Sequence, residues 1–394
     1  MQEIKNGSGD ITIKLWGSVY NTNLLEAYNA AGSEFVKYID GDFSLVLEDK
    51  GENIMIVAVD AFASKPLWIL SHKDKGGLVG VVDCPPPGCG QKVPPNYAYV
   101  YDLDNGGLRQ GINVYDWDLT QNVKTYDKWI EAFEAAIAKR TKDVADQLFI
   151  GLSSGYDSGA IACELQKQNV PFDAYTLRAN EAEYILTARH KLLNNSTIKY
   201  FTIDEYNSYR DNVIKCGVDY KCRINHWGKS SSDHLGQTEY NYKFDKASAG
   251  DAWVCDKGRR NNKSIALSGH GSDEIISDYG WNNRQHYSQS QLGGLFPDDL
   301  SSVFPYGNFY KGTMDAYIAK TEFIGRLYGV EARYPYLDID LVQEFLHLTP
   351  KLKNVAYKAP LHEYFTRNKY PYDVNVKNGF NANHNCNGGI SGDR

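Results

Sequence analysis

Gln147–Asn169 reads QLFIGLSSGYDSGAIACELQKQN. Leu148–Leu152 is a short apolar run of strand length, Ser153–Gly155 is a loop of small residues, and a helical pattern follows from Tyr156. A strand that passes through a small-residue loop into a helix is the repeating unit of parallel sheets covered on both faces. The same alternation continues outward. FDAYTLR (Phe172–Arg178), TIKYFTI (Thr197–Ile203) and SIALSG (Ser264–Gly269) are predicted strands, and EAEYILTARHKLL (Glu181–Leu193) is a predicted helix. Upstream, Tyr126–Lys142 places Trp129, Ile130, Phe133 and Ile137 on one helical face. The last third reads as mostly helical.

The region before it has a different pattern. Ile11–Tyr20, Asp42–Asp49, Asn53–Asp60 and Tyr97–Gly107 read as strands, and Gly51 in DKGEN turns the second into the third as a hairpin. Leu24–Ile39 has helical spacing punctuated by a glycine, and the proline-rich Cys84–Pro95 admits no regular element. With 394 residues, two domains of ~100–250 residues each are expected. The change of pattern sets them at 1–115, α+β and β-rich, and 116–394, α/β, with the boundary near Asp116–Thr125.

Composition excludes several classes. Apolar residues at 42% and charged residues at 23% are those of a globular chain, not a disordered one. A net charge of −7 argues against nucleic acid as a partner. The basic run KGRRNNK (Lys257–Lys263) is read as a solvated loop. No apolar run is long enough to span a membrane, and MQEIKNGSGDITIK carries no signal-peptide core. Seven cysteines, an odd number spread over a long chain, point to a reducing, cytoplasmic setting. Cys84 with Cys89, and Cys216 with Cys222 and His226, are read as structural, with a zinc site kept open for the second group.

Ser153, Ser154, Gly155, Asp157 and Ser158 lie where a strand ends and a helix begins. The first helical N–H groups lack internal partners, the helix dipole is positive there, and small side chains admit phosphate oxygens closely. No Gly-Lys-Ser/Thr follows, so this is not a Walker loop; a plain Ser/Gly turn is the alternative. A second strand-to-loop junction, LSGHGSDE (Leu267–Glu274), supplies Ser268, Gly269 and Asp273. Asp157 and Asp273, one from each loop, form a set suited to Mg2+ bridging phosphate oxygens. Each Asp alone is as readily a helix cap.

These stretches resemble the asparagine synthetase and β-lactam synthetase family. LSSGYDSG resembles its SGGxDS pyrophosphate loop, and LSGHGSDE its SGEGSDE signature. GVEARYPYLDIDLVQEFLHLTPKLK (Gly329–Lys353) resembles GxExRxPFLD, and Tyr357–Phe365 and Val376–Phe380 resemble two lysine-bearing segments. Earlier, GSVYN (Gly17–Asn21), Tyr38–Asp49 and DAFASKPLWI (Asp60–Ile69) resemble GEIYN, LDGDFAFALYD and DRFGIKPLYY. The matches run in order from Gly17 to Phe380.

The resemblance implies an Ntn-hydrolase-like first domain and a PP-loop ATP-pyrophosphatase second domain with a helical C-terminal part. In glutamine-dependent members a cysteine follows the initiator Met; residue 2 here is Gln. The first domain is therefore expected to be a shortened, glutaminase-inactive relic. Leu152, Leu177, Ser268 and Gly269 are expected around adenosine, and Ser153, Ser154, Gly155 and Ser158 around pyrophosphate. Asp157 and Asp273 are expected on Mg2+. Lys377 is expected at the oxyanion, Lys358 at phosphate, and Arg333 in a structural ion pair. Surface lysines are the alternative for both Lys residues.

At position 270 asparagine synthetases carry Glu and β-lactam synthetases Tyr. His270 is expected to pair with Glu331 and to take the proton of an attacking amine, since neutral imidazole suits that task near neutral pH. A loop-filling or substrate-contact role for His270 stays open. The implied activity is an ATP-dependent, AMP-forming carbon–nitrogen ligase that joins a small-molecule or peptide carboxylate to a non-glutamine amine, in lactam, macrolactam or intermolecular form. The alternatives are an ammonia-dependent asparagine synthetase and a non-catalytic ATP-binding regulatory protein. Oligomeric state is left open, a homodimer among the options.

Overall fold

A computed structural model describes residues 1–71, 77–83, 90–178, 181–216, 222–225, 237–240, 247–287 and 289–374. The chain divides into two compact units, Met1–Asp118 and Leu119–Arg394. Both antiparallel and parallel sheets are present, so the fold is mixed α/β.

In the first unit the strands are β1 (Gln2–Lys5), β2 (Ile11–Tyr20), β3 (Asp40–Asp49), β4 (Ile54–Val59), β5 (Trp68–Ser71), β6 (Leu78–Val82), β7 (Gln91–Lys92), β8 (Tyr97–Asp102) and β9 (Leu108–Asn113). Six of them form an antiparallel sheet in the order β1-β2-β3-β4-β8-β9, and β6-β5-β7 form a small second sheet. Side chains alternate between faces along a strand. Phe43, Leu45 and Leu47 of β3 join Ile56 and Ala58 of β4 in one core cluster. Val46, Val57 and Val59 join a second cluster with Leu67, Ile69 and Val93. Both faces of the large sheet are thus covered. Helix α1 (Leu24–Ala31) packs on the first face and ends at Gly32, whose φ of +56° breaks the helix. The helical pattern beyond it, through Tyr38, is a 3-10 helix, so the glycine that punctuates Leu24–Ile39 divides it into two helices. Asp60, in the DAFASKPLWI stretch, is buried and accepts from the amides of Phe43, Phe62 and Ser64. Burial, partly offset by these hydrogen bonds, pushes its pKa up to about 6.

The second unit holds α2 (Asp127–Thr141), β10 (Leu148–Gly151), α3 (Tyr156–Lys167), β11 (Asp173–Leu177), α4 (Glu183–Lys191), β12 (Ser196–Lys199) and α5 (Ile203–Cys216). The antiparallel pair β13 (Cys222–Asn225) and β14 (Gln237–Tyr240) follows, then α6 (Ser248–Arg260), β15 (Ile265–Leu267) and α7 (Ser272–Ile276). A short hairpin, β16 (Gly280–Trp281) with β17 (Arg284–Gln285), precedes α8 (Thr313–Tyr328) and β18 (Glu331–Arg333). The chain then ends its described part in α9 (Ile339–His347), α10 (Pro350–Lys353) and α11 (Ala359–Asn368).

The five strands β12-β11-β10-β15-β18 form one parallel sheet. The chain runs outward from β10 through β11 to β12, then returns to lay β15 on the other side of β10. The strand order therefore reverses between β10 and β15, and ligands bind at the carboxyl ends of strands at such a switch. The two loops singled out from sequence leave these two adjacent strands.

Two readings need correction. The three-residue β18 is the fifth strand of the sheet, whereas the sequence read as mostly helical there; a strand that short carries no period. Lys257–Arg260 is not a loop but the last turn of α6, where cations suit the negative end of the helix dipole. Among the described residues no helix is long and apolar enough to cross a membrane.

Candidate functional site

The β10–α3 loop is braced by its own side chains. The hydroxyls of Ser153 and Ser158 lie 2.9 Å apart, the Ser153 amide donates to Ser158 Oγ at 3.0 Å, and the Gly155 amide donates to Ser153 Oγ at 3.1 Å. Ser154 turns away: its amide donates to Glu181 Oε2 at 2.6 Å, and its hydroxyl contacts the same carboxylate. Beneath the loop lies Arg189 of α4, fully buried. Its Nη1 donates to the carbonyls of Ser153 and Gly155, the latter at 2.8 Å, and its Nε to the Pro371 carbonyl at 3.0 Å. The guanidinium crosses α3 at Gly159, where a Cβ would lie 2.4 Å from Nη2. Gly159→Ala is therefore expected to displace Arg189 and lower stability by about 1–3 kcal/mol. A urea titration measures this, and the loss of loop order is read as a raised KM for ATP in the assay below.

The second loop meets the first. At Gly269 a Cβ would stand 2.8 Å from the Cβ of Asp157, so only glycine lets the loops approach this closely. Gly271 has φ +97°, and Leu337 fills the space beside it. Glu274 Oε2 accepts from the Gly271 amide at 3.0 Å. Burial, reinforced by Asp273, pushes the Glu274 pKa from 4.5 up to about 7. The folded state thus holds this proton where the unfolded chain has lost it, so stability falls as pH rises from 4.5 through 7. Glu274→Gln is expected to flatten that slope, as thermal unfolding across the interval will show.

Asp157 and Asp273 converge on one cation. Lys358 Nζ lies 2.5 Å from Asp157 Oδ1 and 2.9 Å from Asp273 Oδ1. Lys358 is buried, at the amino end of α11, in left-handed backbone with φ +48°. Burial pushes its pKa down, but the charges of Asp157 and Asp273 outweigh that and hold it raised. Tyr357 donates its hydroxyl to Asp273 Oδ1 at 2.8 Å, and Tyr336 donates its own to the Asp157 carbonyl at 2.9 Å. Among the described residues no group of three metal-ligating side chains occurs. Two carboxylates already sharing one cation fit Mg2+, which takes its other ligands from phosphate and water.

Leu152 and Leu177 end the adjacent strands β10 and β11 and are both buried; the Leu152 carbonyl accepts from Thr176 Oγ1 at 2.7 Å. Ser268 Oγ lies 2.8 Å from His270 Nδ1, and Thr321 Oγ1 of α8 lies 3.1 Å from the same nitrogen.

The expected pairing of His270 with Glu331 is not what the register supports. Glu331 opens β18 opposite Ile265, and Arg333 lies opposite Leu267. His270 follows the other end of β15, three residues beyond Leu267. Glu331 Oε1 instead accepts from Arg333 Nε at 2.8 Å, and Arg333 Nη1 donates to the Arg140 carbonyl at 2.6 Å. Arg333 thus sits in an ion pair with Glu331. Glu322, next to Thr321 in α8, accepts from the Tyr334 hydroxyl at 2.7 Å. No motif marked Glu322. Arg189 and Glu181 were missed likewise; a buried arginine inside an amphipathic helix leaves no local signal. Lys377, Cys84, Cys89 and His226 lie outside the described residues, as do the side chains of Cys216 and Cys222.

The family model described as a glutamine amidotransferase domain matches residues 6–81. Glutamine-hydrolysing asparagine synthetase 3 of Arabidopsis thaliana is 24% identical over 386 residues, covering 88% of this chain and 58% of its own length. Glutamine-hydrolysing asparagine synthetase 2 of Oryza sativa subsp. japonica is 22% identical over 413 residues, covering 90% and 60%. The chain thus spans about three-fifths of the length of these curated relatives. Among solved structures, glutamine phosphoribosylpyrophosphate amidotransferase from B. subtilis, complexed with ADP and GMP, is similar at 9% identity with a TM-score of 0.21. That match covers 50% of this chain and 63% of that one, and at such a score it carries no argument.

Proposed function

The chain is asparagine-synthetase-like, and on that premise we propose that it is an ATP-dependent, AMP-forming ligase joining a carboxylate to a non-glutamine amine. The observation that carries the reading is the convergence of Asp157 and Asp273, from the two loops at the sheet's switch point, on the buried Lys358. In this reading the second unit is a PP-loop ATP-pyrophosphatase domain and the first an Ntn-hydrolase-like domain. The segment matched as glutamine amidotransferase, residues 6–81, contains no cysteine to attack glutamine. In this reading the nitrogen comes from a free or substrate-borne amine.

The α3 amino terminus with Ser153 and Ser158 binds pyrophosphate oxygens while a substrate carboxylate attacks the α-phosphorus. Asp157 and Asp273 would hold Mg2+, which would supply charge neutralisation for the pyrophosphate leaving group. Lys358 keeps both carboxylates aimed at one point. His270, oriented by Ser268 and Thr321, takes the proton from the amine as its nitrogen attacks the acyl-adenylate and AMP leaves. Ammonia-dependent asparagine formation is the second reading, favoured by the relatives' names.

Incubation with ATP, Mg2+ and a pool of amino acids and small carboxylates, with and without ammonium, tests this by mass detection of products. AMP and a product lighter by one water without ammonium are expected. Dependence on ammonium would favour the second reading, and ADP as product would overturn both.

A further inference from the structure

Beside His270 stands an array of tyrosines. The Tyr317 ring of α8 lies 5.9 Å from the imidazole, centre to centre. Tyr279 lies 5.0 Å from Tyr287 and 6.4 Å from Tyr317. The hydroxyls of Tyr287 and Tyr317 are 3.0 Å apart. His270, Tyr287 and Tyr317 are half-buried, while Tyr279 is buried.

We propose that Tyr287 and Tyr317, backed by Tyr279, form a side-chain subsite for an aromatic or long apolar group on the amine-bearing substrate. The proposal deepens the ligase reading and rests on it. Three observations favour such a group over a charged one. The Tyr287 and Tyr317 hydroxyls bond each other, so these polar ends are engaged with one another rather than with a charged group. Lys320 Nζ lies 5.2 Å from the centre of the Tyr317 ring, so one cation already engages that ring and opposes a second. Lys320 is itself paired with Asp251 at 3.0 Å, so its charge is not open to a substrate carboxylate. Aromatic ring faces select ligands by stacking and apolar burial. A small amine such as ammonia would leave this wall uncovered.

The test compares two probes, L-phenylalaninamide and L-alaninamide, by calorimetric titration into the full chain with Mg2+ and ATP. L-Phenylalaninamide is expected to bind about tenfold more tightly, from aromatic contact and burial together. Tyr317→Leu and Tyr287→Leu should each reduce that preference, and Tyr317→Phe, which keeps the ring, should retain it. Equal affinity of the two probes for the unaltered protein would overturn the proposal, as would a preference that survives both leucine variants. Failure of the ligase reading would show separately, as the absence of carboxylate-dependent pyrophosphate exchange.

Discussion

Asp157→Asn is expected to lower carboxylate-dependent AMP formation by about 10²–10³-fold, the usual effect of removing one preorganised electrostatic group from a transition state. The substitution preserves shape and removes one charge from the pair that Lys358 bridges. Asp273 alone would then hold the lysine and share any divalent ion. The same change in a protein that merely binds ATP would alter affinity without any turnover to lose. Rate measurement at saturating Mg2+ separates the two, because added metal restores occupancy but not the missing ligand. An activity within about threefold of the unaltered protein would remove Asp157 from the machinery; such a change is under 1 kcal/mol of barrier.

The largest stability effect is expected from Asp338→Ala. Asp338 is almost fully buried and lies 2.8 Å from Arg140 Nη1 and 2.8 Å from Lys139 Nζ. It also caps α9 by accepting from the amides of Asp340 and Leu341. Arg140 is itself buried, at 1% exposure, so alanine at 338 would strand its charge. Breaking a buried pair from one side costs about 3–5 kcal/mol, and loss of the cap adds ~1 kcal/mol. Denaturant midpoints will measure the loss. The double variant Arg140→Met with Asp338→Ala should lose less than the sum of the two single changes, since the buried Arg140 charge is removed together with its partner. A loss below about 1 kcal/mol in the single variant would mean that the Arg140 charge finds another outlet.

The two predictions concern segments of very different legibility. The β10–α3 unit was readable because an apolar run, a small-residue loop and a helical period follow each other within Gln147–Asn169. The meeting of Asp157 with Asp273 was readable as well, since both loops carry recognisable motifs and end adjacent strands. What escaped was whatever depends on register. Glu331 and Tyr334 lie three residues apart in one motif, yet β18 sets Glu331 at the amino end of the sheet and Tyr334 against Glu322. Lys358 was expected at phosphate; its distance to two aspartates depends on how α11 approaches α3, which no local pattern records. Arg189 reads as one more cation in the last turn of α4, and only Gly159 leaves the room that lets it reach the loop carbonyls. Gly32 was legible as the break in its helical run, because glycine is a common helix terminator.

The central claim is that the two aspartate loops serve adenylate formation. The most direct measurement is exchange of labelled pyrophosphate into ATP, with Mg2+ and the pooled carboxylates, in the unaltered chain and in Asp157→Asn. The account predicts exchange that requires a carboxylate and falls by about 10²-fold or more in the variant. Exchange that proceeds equally well in Asp157→Asn, or no exchange while ADP and phosphate accumulate, would contradict it.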